Sequence, residues 1–442
     1  MSTEPRLVPF RRALIAACCI AALAAVLATG GGSAQAVTAI GPDVTVFAFT
    51  DVNSYGSADG FASFSVGTRS CNRGDAPLNW CDQGSGCAPG ATDEDHPVIA
   101  QNLYRLKAGR FQQIGMSWLK HGFLSTNSTT SGCSGATGQS CTNPPAGGNQ
   151  LGVGCTDPYG AGLNGSRPLG RRSEVDATTG VFPFPPGGGG ASSTVYDQRV
   201  KVATTDLDAA QNSGALYWAE GHYIASDDAS AGNSLNNASY RQVTVGEAPN
   251  YALTMIGGFV EKQPAIFAWP AQDPTVSLVT VDVPGSIVER FHVARKVTAL
   301  IGGTWHYEYV VHNLNSDRAA RSLEIDFPQG TQFFNIGFKD IEHHSGEPYS
   351  TTDWQFTWSN TALTWTTESF ATNQNANALR WSTMYNFWFD SDQPPSAGIN
   401  HTIGLFKPGT PDSVEFKMFD LFKDGFESGD TSEWSAAEGS AP

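Results

Sequence analysis

The sequence predicts an all-β protein, an antiparallel β-sandwich domain preceded by a disulfide-bearing, loop-rich β domain. Three observations carry that expectation. Short β-branched and aromatic runs recur between clusters of Gly, Asn, Asp and Pro, the pattern of sandwiches and barrels. No window sustains the i, i+3, i+4 spacing of an amphipathic helix over three turns. Of eight cysteines, Cys18 and Cys19 lie in the N-terminal apolar run, the other six, Cys71, Cys81, Cys87, Cys133, Cys141 and Cys155, are gathered between residues 71 and 155, and none follows.

Residues 1–36 read as a signal peptide. Arg6, Arg11 and Arg12 give a basic start, an apolar run covers 13–29, and Ala34-Gln35-Ala36 supplies the small-x-small cleavage pattern. No second hydrophobic stretch follows, so no transmembrane anchor is expected after signal removal. The expected location is secreted, periplasmic or at the cell surface. In such an oxidising compartment the six cysteines read as three disulfides, with fifteen pairings open. No C-x-x-C pair points to a metal instead. The bridges would pin the Gly/Ser/Asn-rich loop 125–150, which carries little apolar surface of its own.

Charge narrows the partners. The formal net charge is −16 and only 15% of residues are charged. Nucleic-acid binding needs clustered Lys and Arg, and no such patch exists. An acidic surface also disfavours anionic membranes and polyanions. What remains is a neutral, cationic or metallic partner, such as a glycan or a cell-surface component.

The chain divides as follows. Residues 37–181 form the disulfide-bearing β domain, opening with strands at 44–49 and 60–66 and a hairpin turning at Lys107-Ala108-Gly109-Arg110. Residues 182–195 are a Pro/Gly linker, Phe182-Pro183-Phe184-Pro185-Pro186 followed by four glycines. Residues 196–410 form the sandwich, with strands expected near 216–224, 277–283, 290–297, 305–313, 322–327, 333–338, 354–358 and 381–389. Residues 411–442 are an acidic tail.

Several segments are similar to one another's counterparts in a known set. The runs HPVIAQNLY at 96–104, SWLKHGF at 117–123, LGVGCTDPYGAGLNG at 151–165 and IGLFKPG at 403–409 resemble an uncharacterised family of exported bacterial all-β proteins. The stretch DGFESGD at 424–430 is similar to a short C-terminal tag on secreted bacterial proteins. The resemblance implies export and bacterial origin. It carries no catalytic residue with it.

The signatures of nucleophile elbows, zincins, phosphate loops, haem attachment and EF-hands are absent. Candidate sites rest on strand parity. Residues two apart on a strand face one side about 6.6 Å apart, so His306 and Glu308 can converge on one ion. His312 shares that face but lies roughly 20 Å away, too far to join them. His343 or His344 from the following loop would complete a two-His-one-carboxylate set for a divalent metal ion. The bland reading is a solvated strand face and a surface loop. A second, oxygen-rich set is Glu220, His222, Asp227 and Asp228, suited to calcium, against which stands ordinary turn chemistry. Trp354, Trp358, Trp365, Trp381 and Trp388 raise a third option, sugar stacking, although Trp354 and Trp358 share parity and are expected in the core. His96 and His121 read as structural. The function expected is that of a secreted or surface-associated binding protein for a neutral glycan or metal ion, and the alternative is a metal-dependent extracellular enzyme.

Overall fold

A computed structural model describes residues 40–81, 87, 92, 95–165, 169–187, 194–343, 346–396 and 398–418. The signal peptide, His344 and the DGFESGD stretch lie outside the described residues. The sheets are all antiparallel, and helix among the described residues is confined to short segments such as Ser226–Ser230 and Ala268–Gln272.

In chain order the strands are β1 (Val44–Ala58), β2 (Phe61–Asn72), β3 (Leu78–Asn79), β4 (Val98–Lys107), β5 (Arg110–Met116), β6 (Leu119–His121), β7 (Gln150–Leu151), β8 (Thr156–Tyr159), β9 (Leu169–Gly170), β10 (Val200–Ala203), β11 (Leu216–Ile224), β12 (Ala238–Val245) and β13 (Leu253–Val260). The rest are β14 (Ser277–Val283), β15 (Glu289–Ala299), β16 (Trp305–Asn313), β17 (Ala320–Asp326), β18 (Phe333–Lys339), β19 (Gln355–Trp358), β20 (Ala362–Thr366), β21 (Thr383–Ser391), β22 (Asn400–Leu405) and β23 (Ser413–Lys417).

The first sheet runs β1-β2-β10-β5-β4-β11-β12-β13. It curls until β1 lies back against β12 and β13, where Ser239 Oγ donates to Val46 O at 2.7 Å and Phe49 meets Phe259 edge-on. The β4–β5 hairpin turns as expected, with Ala108 and Gly109 both at positive φ, the conformation that suits a two-residue hairpin loop. An inner sheet, β14-β15-β16-β21-β18, and an outer sheet, β19-β20-β17-β22-β23, form the sandwich. The strands expected at 216–224, 277–283 and 305–313 are present with those bounds.

The expected division at 182–195 is not where the sheets divide. Strands β10 to β13 follow that stretch yet complete the first sheet, with β10 between β2 and β5, and β11 against β4. Sequence position hides this because the pairing is long-range. Nor is the stretch an unpacked linker, for Phe182 is buried and its ring contacts those of His96 and His121. The three disulfides join Cys71 to Cys133, Cys81 to Cys87 and Cys141 to Cys155. Two of them tie the loop 125–150 to β2 and to the residue before β8.

Alternation places Tyr307, Tyr309 and Val311 of β16 on one face. They meet Phe387, Phe389 and the outer sheet's Leu323, Leu363 and Trp365 in an apolar core. The opposite face of the inner sheet is also covered. Ala294, Val310 and Met384 pack with Tyr104, Phe111 and Trp218 of the first sheet and with Trp269, which follows it. The inner sheet is therefore buried on both sides.

Candidate functional site

His306 and Glu308 do come together on the face that parity predicts, with Nε2 3.4 Å from Glu308 Oε2. Both are engaged by other side chains. Glu308 receives both arms of Arg110, from Nε and Nη2, at 2.7 Å each, and the guanidinium lies 3.7 Å over the Trp388 ring. A bidentate Arg–carboxylate pair uses the oxygens an ion would need. Trp388 can lie flat there because Gly337 leaves room, and a Cβ at that position would sit 2.1 Å from its ring. His306 Nδ1 is 2.6 Å from Asp390 Oδ1, and its pKa is raised above the ordinary value, first by the Glu308 hydrogen bond. A ring pushed toward its cationic form is a poor ligand.

His343 corrects the proposed third ligand. Its Nε2 is 3.3 Å from the Tyr385 hydroxyl, and Tyr385 belongs to the apolar core on the opposite face of the inner sheet from His306. A loop residue has no parity to read, so the sequence could not have told which face it takes. Among the described residues, no group of three or more His, Cys, Asp or Glu is arranged to hold a metal.

The oxygen-rich set is likewise dispersed. Glu220 is wholly buried, and Asn102 Nδ2, the Tyr104 hydroxyl and the Ala265 amide donate to it at 2.7, 2.8 and 2.6 Å. Burial raises its pKa against those hydrogen bonds. Asn102 in turn accepts from Arg172, whose guanidinium also donates to the carbonyls of Ser117, Gln101 and Ser382. This network stitches the first sheet to the residue before β21. Asp228 accepts the Val44 amide and Asn237 Nδ2 at 2.8 Å each, anchoring the start of β1. Asp227 accepts the Asn79 amide at 2.7 Å and is pushed up to about 6 by burial. Their oxygens are filled by N–H donors, and apart from the Asp228 amide on Asp227 these come from outside the turn, so the two carboxylates tie distant segments together rather than cap their own turn. Neither Arg110, Asn102 nor Arg172 carried a signal in the sequence, because each acts through a partner more than a hundred positions away or through backbone carbonyls.

His96 and His121 bond each other at 2.8 Å inside a box formed by Phe182 and Phe184, a structural arrangement. A cavity of about 210 Å³ lies between the first sheet and the segment after β18. Its charges pair among themselves, Arg105 with Asp206 at 2.8 Å and Lys201 with Glu342 at 3.4 Å.

The tryptophans split into two kinds. Trp354, Trp365 and Trp381 are core residues. Trp358, expected in the core with Trp354, is instead 60% exposed, and Phe356 is 41% exposed. Their rings stack with centroids 6.2 Å apart and planes 19° apart. The reason is position. β19 is the edge strand of the outer sheet, so its inward parity points past the covered core beside Trp365 and Leu363.

No protein-family model matches the chain, and no curated protein matches it. Among solved structures, one that matches is a GH20 exo-β-N-acetylglucosaminidase from Vibrio harveyi in complex with N-acetylglucosamine. The match has 13% identity and a TM-score of 0.18, and it spans 32% of this chain and 17% of that one. A likeness that weak carries no argument about fold or function.

Proposed function

We propose that this is an exported, non-catalytic binding protein that takes a neutral glycan on the Phe356–Trp358 edge of its sandwich. The observation behind the reading is the stacked, exposed ring pair in a molecule that buries most of its other tryptophans. Flat apolar ring faces suit the C–H faces of sugar rings. A net charge of −16 favours a neutral glycan over a polyanionic one. Removal of residues 1–36 and a place outside the cytoplasm belong to the same reading, as does membership of the uncharacterised exported bacterial family. Supporting it are three disulfides and the finding that no helix among the described residues is long and apolar enough to cross a membrane. The metalloenzyme alternative is weakened, because Arg110 occupies Glu308 and His343 faces the other way, while His344 lies outside the described residues.

The test is retention on insoluble neutral polysaccharides (cellulose, chitin, β-1,3-glucan), with full-length protein. Retention on at least one is expected, and Trp358→Ala or Phe356→Ala should weaken it about tenfold, near 1.4 kcal/mol. No retention on any of them, or undiminished retention in the double variant, would defeat the proposal.

A further inference from the structure

Where the first sheet meets the inner sheet, two histidines make no hydrogen bond among the described residues. Trp218 of β11 packs in one cluster with Val310 of β16 and Met384 of β21. The face of β11 that carries Trp218, Glu220 and His222 is therefore turned toward the face of β16 and β21 that carries Val310, His312 and Met384. His222 and His312 are 1% and 0% exposed, and no ring nitrogen of either has a hydrogen-bond partner among the described residues. They are close enough that charge on His312 disfavours charge on His222. A buried polar group left unmatched destabilises the fold, and here two such rings stand together. The carboxylates and the amide on these two faces are matched, since Glu220 has three donors, Glu308 has Arg110, and Asn386 Nδ2 donates to Phe111 O at 2.8 Å. The Trp269 indole N–H in the same cluster is unmatched among the described residues, but it is a donor and cannot serve the rings' lone pairs and a ligand alike.

Sheet register shows what accompanies the two rings. Thr280, His292, His312 and Met384 stand directly opposite one another in a row across β14, β15, β16 and β21. His292 is engaged, with Nδ1 3.1 Å from Thr280 Oγ1. It stacks on His312 with centroids 6.1 Å apart and planes only 16° apart. Imidazole lone pairs lie in the ring plane, so stacked rings do not converge on one point. His292 thus backs His312 rather than joining it. On the other side of His312 is the buried thioether of Met384.

The available donors are then two neutral imidazoles and one thioether. No carboxylate oxygen is free there, and the Arg172 guanidinium adds positive charge near His222. A divalent ion would have no anionic ligand to offset its charge. A soft, singly charged d¹⁰ ion accepts two imidazole nitrogens in line and tolerates a thioether. We infer that His222, His312 and Met384 form a buried site for copper(I).

Full-length, metal-free protein titrated anaerobically with copper(I) against a chromogenic copper(I) chelator tests the assignment. One equivalent should be retained, and silver(I) should compete for it while zinc(II) does not. Met384→Leu conserves volume, so it keeps the packing, and it should weaken copper(I) about tenfold. His312→Leu should abolish retention. Copper(I) should raise the melting temperature of the parent and leave that of His312→Leu unmoved. The inference is overturned if no copper(I) is retained, if zinc(II) binds equally well, or if Met384→Leu and His312→Leu both bind as the parent does.

Discussion

The two faces of the inner sheet make the most informative comparison in this molecule. Toward the outer sheet, β16 and β21 present Tyr307, Tyr309, Val311, Phe387 and Phe389, and the rings stack closely, Tyr307 on Phe389 with centroids 4.7 Å apart. Toward the first sheet, the same strands present His306, Glu308, His312, Asn386 and Trp388. Both faces are covered by protein. One is held by apolar area and ring packing, the other by hydrogen bonds and a bidentate ion pair around an apolar remnant. A period of two separates the faces but says nothing about what covers the second. A polar strand face reads as solvated until its partner sheet is known.

Breaking each face should expose the difference. The largest effect is expected on the apolar side. Trp365 is wholly buried with its ring against Phe387 and Phe389. Trp365→Ala should cost about 3–5 kcal/mol, seen as a lower urea midpoint with an unchanged slope. On the polar side, Glu220→Gln preserves shape but turns an amide donor toward groups that already donate. A loss of about 1–3 kcal/mol is expected. An effect of Glu220→Gln as large as that of Trp365→Ala would mean that the polar seam, not the sandwich core, is the stronger half.

The buried polar groups of the first sheet also titrate where apolar ones cannot. Asp157 is pushed up from 3.8 to about 6 by burial, although the Thr126 amide donates to it at 2.7 Å. The folded state then holds its proton more tightly than the unfolded state. Its contribution is fully present below 3.8 and is lost as pH rises through about 6. Asp157→Asn keeps an acceptor for Thr126 and does not titrate. The stability of the parent relative to this variant should fall by about 1.4 kcal/mol per pH unit between pH 4 and 6, then level off. Denaturant midpoints across that range measure it, and a flat difference would remove Asp157 from the buried, titrating groups.

Local strand character was legible in the chain, as β11, β14 and β16 show, because β-branched and aromatic runs bounded by turn residues need no distant information. The His306–Glu308 juxtaposition was legible for the same reason. What completes it was not. Arg110 reaches Glu308 from another sheet, and β10 and β11 return to pair with strands that precede residue 182, carrying β12 and β13 into the same sheet. His343 sits in a loop, where no period applies. Trp358 obeys its parity and is exposed only because β19 has no covering neighbour, a fact about sheet order rather than sequence.

That edge yields the smallest stability effect and the sharpest separation of folding from function. Phe356 and Trp358 have the composition of the apolar face, yet they sit outside it, stacked on each other rather than on the core. Area that stays in contact with water in the folded state contributes little to folding. Trp358→Ser should therefore change stability by less than about 0.5 kcal/mol, while Trp354→Ala, four residues earlier in the sequence and stacked on Phe338 in the core, should cost about 3–5 kcal/mol. Melting and urea curves of the two variants, run side by side, decide the matter. If Trp358→Ser is nearly as costly as Trp354→Ala, the edge pair is part of the core and is not kept exposed for a ligand. If Trp358→Ser is silent in folding, its ring is held in solvent for a reason other than stability, and any loss of polysaccharide retention in that variant reports on binding alone.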